Sequence, residues 1–392
     1  MFSLDQLASR VHAIEPFRVM EVVKAATALR LEGVDVISMS VGEPDFTAAP
    51  RVAAAAIAAI EAGASQYTDA LGLATLRAAI AEHYGVTCGL TIDPRRIVVT
   101  AGASAGLLLA CAALVNEGDE VLMPDPCYPC NRHFVSAFNG RPVLIEAHAR
   151  ERYQLTAAHI ADHWTARSRG VIVASPSNPT GTSMTPEQLR TMLAAVRARG
   201  GFAVVDELYQ GLSYEGAPTS ALQVDPDVIT VNSFSKYFNM TGWRLGWLVV
   251  PEQLVTTFEK LAQNLFICPS TISQHAALAC FHPESLALYE ERRREFQRRR
   301  DYLVPALRQL GFTIPVTPDG AFYVYADISA VKHPQAHDSS AFCMAVLQAA
   351  GVAIVPGDDF GFAAPQRHVR FSYATSLARI EEAVARLRTL LT

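Results

Sequence analysis

A lysine and an arginine lie eight positions apart in one short segment, and both could serve the same cofactor. Lys236 ends the run Ser233-Phe234-Ser235-Lys236, and Arg244 lies in the glycine-flanked stretch 242–246 that follows. A lysine amine can form a Schiff base with an aldehyde, and an arginine beside hydroxyl groups can hold a phosphate. Pyridoxal phosphate carries both of these groups. The motif therefore predicts a pyridoxal phosphate site built around Lys236.

Polar residues that suit the same cofactor follow other short apolar runs of the chain. Asn178 comes after the run 171–174, and Asp206 and Tyr209 come after the run 202–205. An anion such as Asp206 would keep the pyridine nitrogen protonated. Asn178 and Tyr209 could hydrogen-bond the ring oxygen. After the run 97–100, the backbone N–H groups of Ala103 and Ser104 at a helix start would suit the phosphate.

The elements that must position these residues alternate between short β-branched runs and helix-like segments. The predicted strands are 97–100, 120–123, 171–174, 202–205, 228–231 and 244–250. Apolar runs of this kind are typical of strands buried on both faces of a mostly parallel sheet. In such α/β sheets, ligands bind at the carboxyl ends of the strands, which is where the polar residues stand.

The pattern changes after about residue 285. A long charged helix is followed by the apolar stretches 320–325 and 369–373 and by a helical segment at 339–350. Within the long helix, arginine clusters at 292–294 and 298–300 alternate with acidic residues, which predicts a solvated, salt-bridged helix face. These features indicate a second, smaller α+β domain.

Composition excludes several classes of protein. The 392-residue chain is half apolar and 18% charged, with a formal net charge of −5. The chain start lacks a signal-like pattern, and no apolar run approaches the ~20 residues of a membrane span. Seven scattered cysteines argue against a disulfide framework and against a zinc site. We predict a cytoplasmic protein with no metal, nucleic-acid partner or membrane partner.

Taken together, the motifs resemble those of class I/II aminotransferases, in the aspartate aminotransferase superfamily of fold type I pyridoxal enzymes. Besides the Lys236 and Arg244 motif, the resemblance rests on Ser40-Val41-Gly42-Glu43-Pro44-Asp45-Phe46, on Gln66-Tyr67-Thr68 to Gly72, and on His368-Val369-Arg370-Phe371-Ser372. It covers nearly the whole chain. It implies a large domain with a mostly parallel, seven-stranded-type sheet sandwiched by helices. The implied division is an N-terminal arm with part of the small domain at 1–44, a large cofactor-binding domain at 45–285 and a small domain at 286–392.

The resemblance also implies a role for each site residue. Its catalytic set is Lys236, as Schiff-base lysine and proton shuttle, with Asp206 and Tyr209. Its cofactor contacts are Tyr67, Ala103, Ser104, Tyr128, Asn178, Asp206, Tyr209, Ser233, Ser235, Lys236 and Arg244. Tyr128 would stack on the ring, and Tyr67 would reach the phosphate of a neighbouring subunit, which implies a homodimer with shared sites. Arg370 would bind the substrate α-carboxylate, with help from Gly42 and Asn178.

The implied reaction moves the amino group of an L-amino acid to a 2-oxo acid, in ping-pong fashion, through a Schiff base on Lys236. A β-lyase or a cyclopropane-forming elimination would use the same residues, so these alternatives stay open. A non-catalytic sensor would need a DNA-binding segment, and none is evident. The C-x-x-C of Cys127-Tyr128-Pro129-Cys130 could instead indicate thiol redox chemistry.

The substrate side chain is the weakest part of the prediction. The stretches 15–19 and 265–267 are expected to line the mouth of the pocket. Their apolar residues favour neutral or aromatic substrates, whereas Arg18 would leave room for a dicarboxylate.

Overall fold

The computed structural model describes residues 6–216 and 218–391, which form twelve strands and twelve α-helices. The strands are β1 (Ile37–Ser38), β2 (Ile97–Thr100), β3 (Glu120–Asp125), β4 (Arg141–Glu146), β5 (Ser168–Ala174), β6 (Phe202–Asp206), β7 (Ile229–Ser233), β8 (Gly246–Val249), β9 (Tyr323–Asp327), β10 (Val352–Ala353), β11 (Val355–Pro356) and β12 (His368–Ser372). The helices are α1 (Val19–Leu31), α2 (Pro50–Glu61), α3 (Ala74–Cys88), α4 (Ala103–Leu114), α5 (Cys130–Ala137), α6 (Ala157–His163), α7 (Pro186–Arg197), α8 (Val255–Leu265), α9 (Thr271–Leu278), α10 (Pro283–Gln309), α11 (Ser339–Ala350) and α12 (Leu377–Leu391). Within the described ranges, no helix combines the length and apolar character that crossing a membrane requires.

Seven strands form one large sheet in the order β2-β8-β7-β6-β5-β3-β4. Its neighbours pair in parallel except β8, which runs antiparallel to both β7 and β2. The predicted large, mostly parallel sheet is confirmed, and each predicted strand has a counterpart in it. The edge strand β4 was not predicted, because it is only half-buried and carries an arginine and a proline instead of a continuous apolar run.

Helices cover both faces of this sheet because the strands are apolar on both faces. In β5, Val171 and Val173 pack into one core while Ile172 packs into the other. Helix α7 contributes to the first core and α4 to the second. Burial on both sides fixes the strand register, since a slip by one residue would exchange the two sets of side chains. The sheet is thus a rigid support for whatever its strand ends carry.

A smaller region contains the antiparallel sheet β11-β12-β9 and the parallel pair of β1 and β10. The β1–β10 pairing joins the N-terminal segment to the C-terminal third of the chain, with Ile37 opposite Val352. We therefore propose that the N-terminal segment shares the smaller domain, as the division at 1–44 and 286–392 expects.

Helix α10 passes through both regions. Tyr289 packs into the core of the large sheet, whereas Phe296 and Leu303 pack into the core of the smaller region. The predicted salt-bridged face is only partly solvated: Arg299 is 3% exposed and binds Asp45 at 2.8 Å, and Arg300 is also buried. Besides their acidic neighbours on the helix, these two arginines pair with Asp45 and Glu215, which lie on other parts of the chain, and so they connect separate segments.

Candidate active site

A cavity of about 380 Å³ lies at the carboxyl ends of the parallel strands. The smaller region and helix α1 cover it from the other side. Twelve of the residues predicted from the sequence line it: Gly42, Ala103, Ser104, Tyr128, Asn178, Asp206, Tyr209, Ser233, Ser235, Lys236, Arg244 and Arg370. Strand ends from one sheet therefore bring together side chains that are far apart in the sequence.

Lys236 stands in the loop after β7, with its amine inside the cavity. Its Nζ donates a hydrogen bond to the carbonyl oxygen of Gly42 at 2.6 Å and lies 5.9 Å from the centre of the Tyr209 ring. Burial lowers the pKa of the Lys236 ammonium to about 8, although the charge of Glu43 opposes this effect. A lower pKa raises the fraction of neutral amine, which is the form that attacks an aldehyde.

Asp206 is the last residue of β6 and is 5% exposed. Its Oδ1 accepts a hydrogen bond from the Leu208 N–H at 3.0 Å. Burial raises the pKa of the Asp206 carboxyl to about 6, while that N–H and the charge of Lys236 pull it down. In the described structure no arginine or lysine forms an ion pair with it, so a cationic N–H inside the cavity is the partner it fits. The protonated ring nitrogen of pyridoxal phosphate is such a group.

The start of helix α4 and Arg244 form a concave anion site. Gly102 precedes the helix with a φ of +85°, and a Cβ there would lie 2.6 Å from Nη2 of Arg244. Arg244 itself has a φ of 52° and donates to the carbonyl oxygen of Thr241 at 2.9 Å. The N–H groups of Ala103 and Ser104, in the first helical turn, have no acceptor within the helix. Donors and a positive charge thus converge where a phosphate would fit.

The two serines before Lys236 differ in their contacts. The Ser233 hydroxyl lies 3.0 Å from the carbonyl oxygen of Leu245 and accepts the N–H of Ser235, also at 3.0 Å. The Ser235 hydroxyl lies 2.9 Å from that of Ser233. Ser233 therefore holds the turn in place, and Ser235 is the more available of the two hydroxyls for a ligand.

Arg370 occupies the middle of β12 and is 5% exposed. Its Nη1 donates to Oδ1 of Asn178 at 2.8 Å, and its Nη2 donates to the carbonyl oxygen of Ser40 at 2.6 Å. The guanidinium lies over the rings of Tyr323 and Phe360, at 4.4 and 4.9 Å from their centres. Its buried Nε has no hydrogen-bond partner among the described residues. Neutral partners leave the charge of Arg370 uncompensated, so it fits a carboxylate ligand.

Several residues that line the cavity were not predicted from the sequence. Tyr323 donates to or accepts from the Tyr209 hydroxyl at 2.8 Å, but it stands in an ordinary apolar strand with no motif around it. Met20, Val23 and Leu107 form part of the wall and resemble any other apolar helix residues. Asp359 lines the cavity too, and its short turn gave no signal.

Two sets of residues that the sequence predicts near the site lie outside this cavity. Phe17 and Val19 of the stretch 15–19 do line it, whereas the stretch 265–267 does not line the cavity of its own chain, and a contact with the site of a second copy stays a prediction. Leu265 and Ile267 are instead about half exposed. Tyr67 is 80% exposed and lies near Thr271 in a separate surface depression. Its predicted contact with a neighbouring subunit stays a prediction.

The C-x-x-C motif flanks Tyr128. Cys127 is 3% exposed, and burial raises the pKa of its thiol to about 12. Burial also raises the pKa of Cys130. Thiol redox chemistry needs an accessible thiolate, so this geometry disfavours the redox interpretation.

Known proteins share both the sequence and the fold of this chain. The family model "Aminotransferase class I and II" matches residues 34–387. The valine–pyruvate aminotransferase of Mycobacterium tuberculosis is 41% identical over 385 residues, covering 98% of each chain. The aspartate aminotransferase of Bacillus sp. strain YM-2 is 34% identical over 390 residues, again covering 98% of each chain.

Solved structures give the same result. An aminotransferase from Mycobacterium tuberculosis superposes with a TM-score of 0.93 at 41% identity, covering 99% of each chain. The Thermus thermophilus aspartate aminotransferase with maleate gives 0.91 at 34% identity, covering 98% of this chain and 99% of the other. The predicted fold class, transaminase activity and cofactor are confirmed by these relatives. The chain belongs to the class I and II aminotransferases and is a pyridoxal-phosphate-dependent enzyme of that family.

Proposed function

We propose that this aminotransferase takes the amino group from a neutral aliphatic L-amino acid about the size of valine and passes it to a 2-oxo acid such as pyruvate. The observation that carries this proposal is the apolar part of the cavity wall. Beyond the polar set, the lining includes Val19, Met20, Val23, Leu107 and Phe360. Branched aliphatic side chains gain binding energy by leaving water for such a wall.

Charge argues against a dicarboxylic substrate. The guanidinium of Arg18 is half exposed and pairs with Glu21 at 3.4 Å instead of lining the cavity. The acidic residue Asp359 does line it. A second substrate carboxylate would therefore meet apolar groups and a buried acid, which is costly. The name of the valine–pyruvate relative supports the same choice.

The chain's own residues divide the work. When bound, pyridoxal phosphate supplies an aldehyde carbon and an electron-accepting ring. Arg370, oriented by Asn178, holds the substrate carboxylate, and Asp206 keeps a proton on the ring nitrogen. Nζ of Lys236 would take the proton from the substrate α-carbon and deliver it to the carbon that the cofactor's aldehyde supplies, because its lowered pKa lets it change protonation state near neutral pH. The same groups serve donor and acceptor in turn, which gives ping-pong kinetics.

We further propose a homodimer with shared sites in a cytoplasmic enzyme. Tyr67, Leu265 and Ile267 are all at least half exposed, although large apolar and aromatic side chains are usually buried. A second copy of the chain that covers them would bring Tyr67 toward its partner's site.

A half-reaction screen tests the proposed substrate. The cofactor-loaded enzyme is mixed with valine, leucine, alanine, aspartate or glutamate, and loss of the bound-cofactor absorbance is followed. We expect valine to react at least about 100-fold more efficiently than aspartate, which corresponds to about 2.7 kcal/mol. D-valine is the matched control, because it has the same side chain but the opposite configuration, and it should not react. Preference for aspartate would overturn the proposal. In a parallel assay with an amino acid that carries a β-leaving group, such as O-acetylserine, release of ammonia and pyruvate without an amino acceptor would indicate elimination.

A further inference from the structure

The first turn of helix α1 is capped by a residue far away in the sequence. Oδ1 of Asp359 accepts the backbone N–H of Arg18 at 2.6 Å, and Oδ2 accepts that of Val19 at 2.8 Å. Arg18, at the N-cap position, provides no side-chain cap of its own. Backbone N–H groups at a helix start need acceptors, and an acidic one also complements the helix dipole. The position of this helix end therefore depends on Asp359.

Asp359 also stands next to the residue that binds the substrate carboxylate. It belongs to the turn after β11, and β11 pairs with β12 so that Val355 lies opposite Arg370. The next residue, Phe360, packs against the Arg370 guanidinium. Asp359 thus connects the carboxylate-binding strand with the helix that carries Val19, Met20 and Val23.

The large sheet holds the same loop from the opposite side. Oδ2 of Asp125, at the end of β3, accepts the N–H groups of Phe362 at 2.8 Å and Ala363 at 3.1 Å. A Cβ on Gly361 would lie 1.7 Å from Oδ1 of Asp125, so only glycine permits this close approach. With its loop fixed to the sheet, Asp359 offers the helix a rigid anchor and not a mobile one.

We propose that Asp359 is a positioning residue for substrate selection: it fixes Val19, Met20 and Val23 as the wall against which the substrate side chain packs. The inference rests on the proposed function, because it assigns the selectivity for aliphatic side chains to this wall. The side chain of alanine is too short to pack against this wall, whereas binding of the valine side chain depends on contact with it. Loss of the anchor should therefore affect valine far more than alanine.

The test compares Asp359→Asn with Asp358→Asn. An asparagine has almost the same shape but accepts only through one oxygen, so its amide N–H₂ would face one of the two backbone N–H groups. Asp358 is the matched control, because it accepts from the Ser340 hydroxyl at 2.9 Å and does not line the cavity. In Asp359→Asn we expect kcat/KM for valine to fall about 10-fold through KM, with alanine changing less than about 3-fold. Asp358→Asn should change neither by more than about 2-fold.

A second readout follows the helix end without using activity. Trypsin can cleave after Arg18, and a released helix end should be cut at least about 5-fold faster in Asp359→Asn than in the wild type or in Asp358→Asn, as fast local opening predicts. The inference would be overturned if Asp359→Asn left both the ratio of kcat/KM for valine to that for alanine and the cleavage rate unchanged. It would also be overturned if kcat/KM fell equally for both substrates. A wild type that prefers aspartate would contradict the proposed function instead, while the cleavage rates would still report on the anchor.

Discussion

The proposed cofactor side of the active site comes from the strand ends of one sheet, whereas the proposed substrate side joins segments that lie far apart in the chain. Asp206 ends one strand of the large sheet and Lys236 lies shortly after the neighbouring strand, so little chain is needed to place them. Val19 and Arg370 lie more than half the chain apart and meet only through the smaller region and Asp359. The difference suggests that substitutions on the first side should stop the chemistry, while those on the second should change which substrate is accepted.

The largest effect is expected at Lys236. Replacing it in Lys236→Ala removes the only amine that lines the described cavity and should lower turnover by at least about 10⁴-fold. Single-turnover kinetics with valine and the absorbance of bound cofactor measure the loss. Lys332→Ala, at an exposed position, is the control. Retained transamination would remove Lys236 from the centre of the proposed chemistry.

Arg370→Lys should separate the two sides of the site. An ammonium lacks the planar fork that reaches both Asn178 and Ser40, so substrate carboxylate binding should weaken. We expect kcat/KM for valine to fall roughly 100-fold or more, in line with about 3 kcal/mol for disrupting a buried charged contact. Cofactor affinity should stay the same. Arg367→Lys, which alters an exposed partner of Asp327, should have little effect, and an equal loss of cofactor in Arg370→Lys would contradict the separation.

Asp206→Asn should alter the pH dependence of stability in the cofactor-free enzyme. Burial raises the pKa of Asp206 from 3.8 to about 6, so between these values the native state keeps a proton that the unfolded chain has released. The free energy of unfolding should therefore fall as pH rises from about 4 to about 6, by up to about 3 kcal/mol from this group. Denaturant titrations should show that Asp206→Asn lacks this part of the fall, whereas Asp227→Asn, at an exposed site, keeps it. An identical slope in both variants would show that Asp206 does not carry it.

The smallest effect is expected where the two sides meet, at the cysteines around Tyr128. The double variant Cys127→Ser/Cys130→Ser should keep turnover within about 2-fold of the wild type, because a serine at position 130 can keep the side-chain hydrogen bond that Cys130 shares with Tyr128. Some stability should be lost, since a serine at the buried position 127 places a hydroxyl in an apolar site. Turnover and thermal unfolding measure the two effects. Complete loss of activity in a folded variant would restore the redox hypothesis.

The sequence predicted residues that meet around Lys236 in one cavity, because they follow apolar runs in a fixed order. Asp206 comes directly after a buried strand, and any open α/β sheet turns such a position toward the ligand. Tyr323 and Asp359 could not be found in this way, because their importance depends on which distant segments they touch. The stretch 265–267 does not line the cavity of its own chain: apolar residues after a helix can line a pocket or lie on a surface, and the sequence does not distinguish the two.

The pairing of β1 with β10 has a consequence for the order in which the molecule can be completed. Met39 donates its backbone N–H to Ala353 at 2.8 Å, and Asp35 binds Arg379 and Arg386 of the last helix. During synthesis from the N-terminus, the strands of the large sheet are available long before these partners emerge. The segment 35–39 must therefore wait for residues 351–386 before its contacts can form. A nascent chain can thus assemble the groups proposed to hold the cofactor before the surface proposed to select the substrate has formed.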